Sequence, residues 1–145
     1  MDATRPNVLV VDDDPLVLET LSKLLGHFGC NVIPHSDSTE ALVDIEQRND
    51  FALIVCDYEM PGINGEGLAR AAKKKNPLIP VFVLSGTHPP SVARPPWDAW
   101  LLKGAPVAEL LRKLNAVLRL AGEGARRAPL AADRARKHAD THSVS

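Results

Sequence analysis

Residues 52–65 read Ala-Leu-Ile-Val-Cys-Asp-Tyr-Glu-Met-Pro-Gly-Ile-Asn-Gly, an apolar run that stops on a carboxylate and passes at once into turn residues. The continuous hydrophobicity of Leu53 to Cys56 is that of a strand buried on both faces, which calls for a parallel sheet covered by helices. Met60-Pro61-Gly62 and Asn64-Gly65 then punctuate a loop. Asp57 is thereby placed at the carboxyl end of a central strand, where open α/β sheets hold their ligands.

The same arrangement recurs along the chain. Residues 7–11 form an apolar, β-branched strand that runs into Asp12, Asp13 and Asp14; Pro15 opens a helix over 15–27, for which Asp14 is the N-cap. Leu16, Leu18, Leu21, Leu24, Leu25 and Phe28 follow a helical period until Gly29 ends it. A strand over 31–34 and a helix over 38–48, carrying Ala41, Leu42 and Ile45, lead into the Asp57 strand. After the central loop comes a helix over 65–75, and its Lys73, Lys74 and Lys75 read as a solvated end favoured by the helix dipole. A strand over 80–84 ends at Ser85-Gly86-Thr87, and another over 99–102 ends on Lys103. Between them Pro89, Pro90, Pro95 and Pro96 leave room for at most one helical turn. Pro106 opens a last helix with Val107, Leu110, Leu111, Leu114, Val117 and Leu118 on one face. Apolar periodicity then stops, which predicts a domain over 1–122 and a disordered tail rich in Ala, Arg and His over 123–145.

Composition sets the outer bounds. A chain of 145 residues, 45% apolar and 24% charged, suffices for one domain with a hydrophobic core. A net charge of −1 argues against nucleic acid as a partner, and no apolar run approaches the roughly 18 residues of a membrane span, so a cytoplasmic protein is expected. Cys30 and Cys56 fall in predicted strands without metal-ligand spacing and read as reduced, buried thiols.

In a parallel sheet with right-handed crossovers all strand ends share one edge, so Asp12, Asp13, Asp57, Ser85 and Lys103 converge from four stretches of sequence. Each has a plainer reading as an acidic turn, a loop-bonding Ser or a surface Lys. Those readings do not explain why four strands should each end on a polar type that phosphoryl transfer needs. Three gathered carboxylates call for a hard divalent cation, and a carboxylate can itself be the nucleophile. Asp57 is the nucleophile and phosphorylation site of choice. Asp12 and Asp13 would hold Mg²⁺ or Mn²⁺ directly or through water, Ser85 would donate its hydroxyl, and Lys103 would supply positive charge.

Val-Val-Asp-Asp-Asp-Pro over 10–15, Asp57-Tyr-Glu-Met-Pro-Gly-Ile-Asn-Gly65, Leu84-Ser85-Gly86-Thr87 and Lys103 after a strand together resemble the response-regulator receiver family of two-component signalling. The resemblance covers about residues 8–120. It implies an α/β, flavodoxin-like, doubly wound sheet of five parallel strands in the order 2-1-3-4-5. It also implies a phosphoryl group received from a sensor histidine kinase or histidine phosphotransfer protein, with Mg²⁺ required. By the same resemblance the backbone carbonyl of Glu59 joins Asp12, Asp13 and Asp57 as a metal ligand, Ser85 and Lys103 bind the phosphate, and Ser85 and Trp100 form the switch.

Three departures accompany the match. Gly104 stands where the family usually has Pro, which removes the usual ground for a cis peptide after Lys103. Trp100 is bulkier than the usual Tyr or Phe. The helix that the family carries between its fourth and fifth strands is shortened here or replaced by the proline-rich loop, which is expected to be rigid and to display Trp97. Glu59, two residues past Asp57, is expected to pair with Lys103 in the empty site or to repel a bound phosphoryl group.

About 25 residues follow the last predicted helix, fewer than the roughly 50 of a usual smallest domain, so a stand-alone receiver is expected. It would signal to a downstream protein target, or by self-association into a homodimer, and would catalyse only its own phosphoryl transfer and dephosphorylation. The alternatives are a receiver-like module that binds without phosphorylation, and an Mg²⁺-dependent phosphohydrolase with an Asp nucleophile, for which Asp57-x-Glu59 only superficially supplies the general acid.

Overall fold

In a computed structural model, which describes residues 5–127, strands and helices alternate as the sequence predicts until the fourth strand. They are β1 (Asn7–Val11), α1 (Pro15–His27), β2 (Asn31–His35), α2 (Ser38–Gln47), β3 (Phe51–Asp57), α3 (Gly65–Lys75), β4 (Val81–Ser85), β5 (Ala99–Leu102) and α4 (Val107–Arg127). The five strands pair in parallel in the order β2-β1-β3-β4-β5.

Alternation along the buried strands divides the core into two layers. Val8, Val10, Leu53 and Val55 face Leu21 and Leu25 of α1 and Leu114 of α4. Leu9, Val11, Ile54 and Cys56 face Ala41 and Ile45 of α2 and Leu68, Ala69 and Ala72 of α3. Both faces of the sheet are therefore apolar, and both thiols are free and buried. Cys30 lies one residue before β2 rather than within it. Side-chain oxygens start the helices: Asp14 accepts from Leu16 N at 2.9 Å, Asp37 from Thr39 N at 2.8 Å and Asn64 from Gly67 N at 2.9 Å.

No helix lies between β4 and β5, and residues 86–98 cross the edge of the sheet as an irregular loop. The layer beside α3 is completed there by side chains instead. Trp97 and Trp100 pack against its core, with ring centroids 5.0 Å apart, and Tyr58 lies 5.0 Å from Trp100 and 6.3 Å from Trp97. The only tyrosine and both tryptophans of the chain thus cover the face that a helix would otherwise shield. Trp97 is half-buried in this cluster, so the loop displays only part of the ring that was expected to be exposed.

The lysines at the end of α3 also differ from expectation. Lys73 pairs with Asp98 at 2.6 Å and donates to the carbonyl of Ile79, and Lys75 donates to the carbonyl of Glu46, so both tie α3 to its neighbours. Helix α4 runs to Arg127, five residues into the segment expected to be disordered; the rest of that predicted tail, 128–145, lies outside the described residues. Among the described residues no peptide bond is cis, and Gly104 has φ +94°, a conformation that glycine accepts without strain. No helix among them is long and apolar enough to cross a membrane.

Candidate functional site

Asp57 is the last residue of the central strand β3 and is buried. The loop that follows folds back on it very closely. Gly65 N donates to Tyr58 O at 2.8 Å, and a Cβ at position 65 would lie 2.7 Å from the Asp57 carbonyl oxygen. Only glycine lets α3 start this near the acid.

Asp12 follows β1 and is fully buried; one of its oxygens accepts from Asp14 N at 2.9 Å. The other, Oδ2, is buried and lies 3.2 Å from the Lys103 ammonium without a directed hydrogen bond. Lys103, immediately after β5, also places Nζ 3.3 Å from Asp57 Oδ2, so one cation serves two acids. Asp57 Oδ1 accepts from Glu59 N at 3.3 Å. With exposed Asp13, the three carboxylates offer oxygens that all lie within 4.8 Å of one another.

The electrostatics of this cluster are unbalanced. Burial and then the Asp12 charge raise the Asp57 pKa, and Lys103 and the Glu59 N–H offset them only in part. For Lys103, burial works to lower the pKa, but the closeness of the Asp12 and Asp57 carboxylates outweighs it and the value is raised. Burial, followed by the charges of Asp57 and Asp12, pushes the neighbouring Cys56 thiol up to about 12, so it stays protonated. Three close acids, a buried oxygen without a hydrogen bond and one shared ammonium fit a hard, oxygen-loving divalent cation. Asp12, Asp13 and Asp57 could hold it.

The profile of the response regulator receiver domain matches residues 8–95, and the chain has that fold with an acidic cluster at its strand ends. The chain belongs to the response regulator receiver family. It is 31% identical over 118 residues to a two-component response regulator of Oryza sativa subsp. japonica, covering 77% of this chain and 98% of that protein. A putative two-component response regulator of Arabidopsis thaliana is 40% identical over 80 residues, which are 54% of this chain but 13% of the plant protein. Among solved structures, the response regulator TrrA of Thermotoga maritima, in complex with Mg²⁺-BeF, is similar with a TM-score of 0.71 at 28% identity, covering 78% of this chain and 99% of that one. Receiver domains bind Mg²⁺ at an acidic pocket, the place taken here by Asp12, Asp13 and Asp57, and the family works with histidine kinases or phosphotransfer proteins rather than as classical enzymes.

The remaining expected residues of this receiver sit at the same sheet edge but are not all turned toward Asp57. Ser85 ends β4 and is fully buried, and its hydroxyl is engaged by its own loop: Thr87 N donates to it at 3.1 Å and Thr87 Oγ1 lies 3.2 Å away. Trp100 on β5 donates its indole N–H to the carbonyl of Thr87 at 2.8 Å. Thr87 therefore joins Ser85 to Trp100, a role that the sequence motif contained but did not reveal. The side chain of Glu59 is exposed, and Lys103 pairs with Asp12 and Asp57 instead of with it, which corrects the expected Glu59–Lys103 pair. Tyr58 escaped the sequence reading as well. Its signal was its place directly after Asp57, where alternation sends the first side chain beyond β3 to the opposite face from the acid.

Proposed function

We propose that this receiver accepts a phosphoryl group on Asp57 from the phosphohistidine of a sensor kinase or phosphotransfer protein in the cytoplasm. The observation that carries this reading is the Lys103 ammonium held between Asp12 and Asp57, 3.2 and 3.3 Å from their oxygens, at the end of the central strand. An ionised Asp57 oxygen attacks phosphorus; the P–O bond forms as the P–N bond breaks, and the electron pair remains on the histidine nitrogen. Lys103 offers positive charge to the phosphoryl oxygens, and Asp12, Asp13, Asp57 and the Glu59 carbonyl would hold Mg²⁺, which when bound would offset the negative charge gathered there.

On phosphorylation the Ser85 hydroxyl donates to the phosphoryl group and is drawn toward it, away from Thr87. That loosens the turn whose carbonyl receives the Trp100 indole, so Ser85 and Trp100 act together as the switch. A phosphoryl group adds roughly −1.5 to −2 charges, enough to bias an existing equilibrium between two arrangements of this loop. The output is contact with a downstream protein, or with a second copy of the chain, through the face that the proline-rich loop has remodelled.

Incubation with acetyl phosphate and Mg²⁺, read by intact-protein mass spectrometry, tests the reading. The expected result is the mass of one added phosphoryl group, absent without Mg²⁺ and absent in Asp57→Asn. Labelling that persists in Asp57→Asn would contradict it, and a wild-type protein that never labels would favour a module that binds without phosphorylation.

A further inference from the structure

Between α3 and the proline-rich loop the surface carries an open groove of about 400 Å³. Arg70 and Lys73 form one wall; Arg94, Pro95, Pro96 and Trp97 form the other. We infer that this groove docks an acidic peptide segment of a partner protein. The inference deepens the reading above by naming the chemistry of the partner for the remodelled face.

Three cations line the groove against a single carboxylate, Asp98. That carboxylate is already committed, accepting from Val81 N at 2.8 Å and pairing with Lys73 at 2.6 Å. Arg70 is about half exposed and paired only along its own helix, with Glu66 at 2.9 Å. Arg94 is exposed and has no hydrogen-bond or ion-pair partner among the described residues. The groove thus presents an unused guanidinium and a second whose partner among the described residues lies on its own helix rather than across the groove.

The spacing of these charges selects the occupant. Arg70 and Lys73 are three residues apart on one helix face, and Arg94 stands on the opposite wall, so the cations do not converge on a point as they would for one small anion. Carboxylates distributed along an extended peptide match them. Trp97 adds a wide, half-buried apolar wall that Tyr58 and Trp100 hold in place, and Trp and Arg are the residues that most often dominate binding energy at interfaces. Pro95 and Pro96 stiffen their wall before any partner arrives, which lowers the ordering cost of docking. A nucleic-acid strand would also value Arg and Trp, so oligothymidylate is the competing ligand in the titration. Trp97 is in ring contact with Tyr58, the residue after Asp57, so the groove lies one aromatic contact from the proposed phosphorylation site.

Titration of the full chain with a synthetic oligoglutamate peptide, followed by ¹H–¹⁵N NMR, tests the assignment. The Trp97 indole and Arg94 resonances are expected to move saturably, and Arg94→Glu to weaken binding at least about tenfold. Arg94→Glu and Arg70→Glu should both retain Mg²⁺-dependent acetyl phosphate labelling of Asp57, which separates failure of the groove from failure of the receiver chemistry. The inference is overturned if the peptide leaves these resonances still, if Arg94→Glu binds as tightly as the wild type, or if an oligolysine peptide binds equally well. It is equally overturned if inorganic phosphate alone reproduces the shifts, which would mark a small-anion site, or if oligothymidylate binds more tightly than oligoglutamate.

Discussion

Burial and the neighbouring Asp12 carboxylate both push the Asp57 pKa upward, and an ammonium shared between the two acids does not cancel them. A carboxyl whose pKa is higher folded than unfolded favours folding most in its protonated form. That contribution is fully present below the ordinary aspartate range and is lost as pH rises through the raised folded value. At neutral pH, therefore, the metal-free protein carries a destabilising charge at this position. Asp57→Asn is expected to raise the melting temperature of the metal-free protein by about 2–5 °C near pH 7, and the gain should shrink as pH falls through the raised folded value and be gone below about 4. Paired thermal melts at the two pH values check this, and a variant that melts lower at neutral pH would contradict it. The acids and Lys103 were legible in the sequence because a parallel sheet leaves its strand ends little choice of edge. The direction of a side chain at that edge was not. Ser85 turns to Thr87, and Lys103 ignores Glu59, because local turn geometry and burial decide those contacts after the backbone is in place.

Between β4 and β5, four prolines forbid the helix, yet the sheet face beneath still requires apolar cover. Trp97 and Trp100 supply it, with Tyr58 between them and the Asp57 strand. Replacing both tryptophans by alanine is expected to cost about 3–5 kcal/mol, a fully buried aromatic costing about that much alone and these being half-buried. Urea unfolding measures the loss, with dye binding to the uncovered face as a second readout; a change below about 1 kcal/mol would mean that the rings are ornament to the sheet rather than its cover. The proline signal made the missing helix readable in advance. What replaces it was not readable, since the sequence shows which residues lie in a loop but not which of them turn inward. Helix α4 shows the converse limit: it runs on to Arg127 through Gly122 and Gly124, which helix propensity disfavours, beyond the apolar stripe from which its end was predicted.

Across the whole molecule the parallel order β2-β1-β3-β4-β5 does one thing for function: it brings residues from positions 12, 13, 57 and 103 to one edge, with Ser85 beside them. The sequence conveyed that assembly because each strand is short, apolar and closed by a polar residue, a pattern that survives errors of one residue at the element boundaries. The curated relatives show how variable the surroundings of such a domain are, since the chain spans 13% of one and 98% of another. What the chain can do chemically is therefore local to the strand ends, and calorimetric titration with Mg²⁺ tests it most directly. Asp13 is exposed, so Asp13→Asn should fold like the wild type and isolate the metal chemistry. The account predicts one saturable site per chain, weakened at least about tenfold in Asp13→Asn and in Asp57→Asn. No saturable binding by the wild-type protein, or equal affinity in both variants, would contradict it.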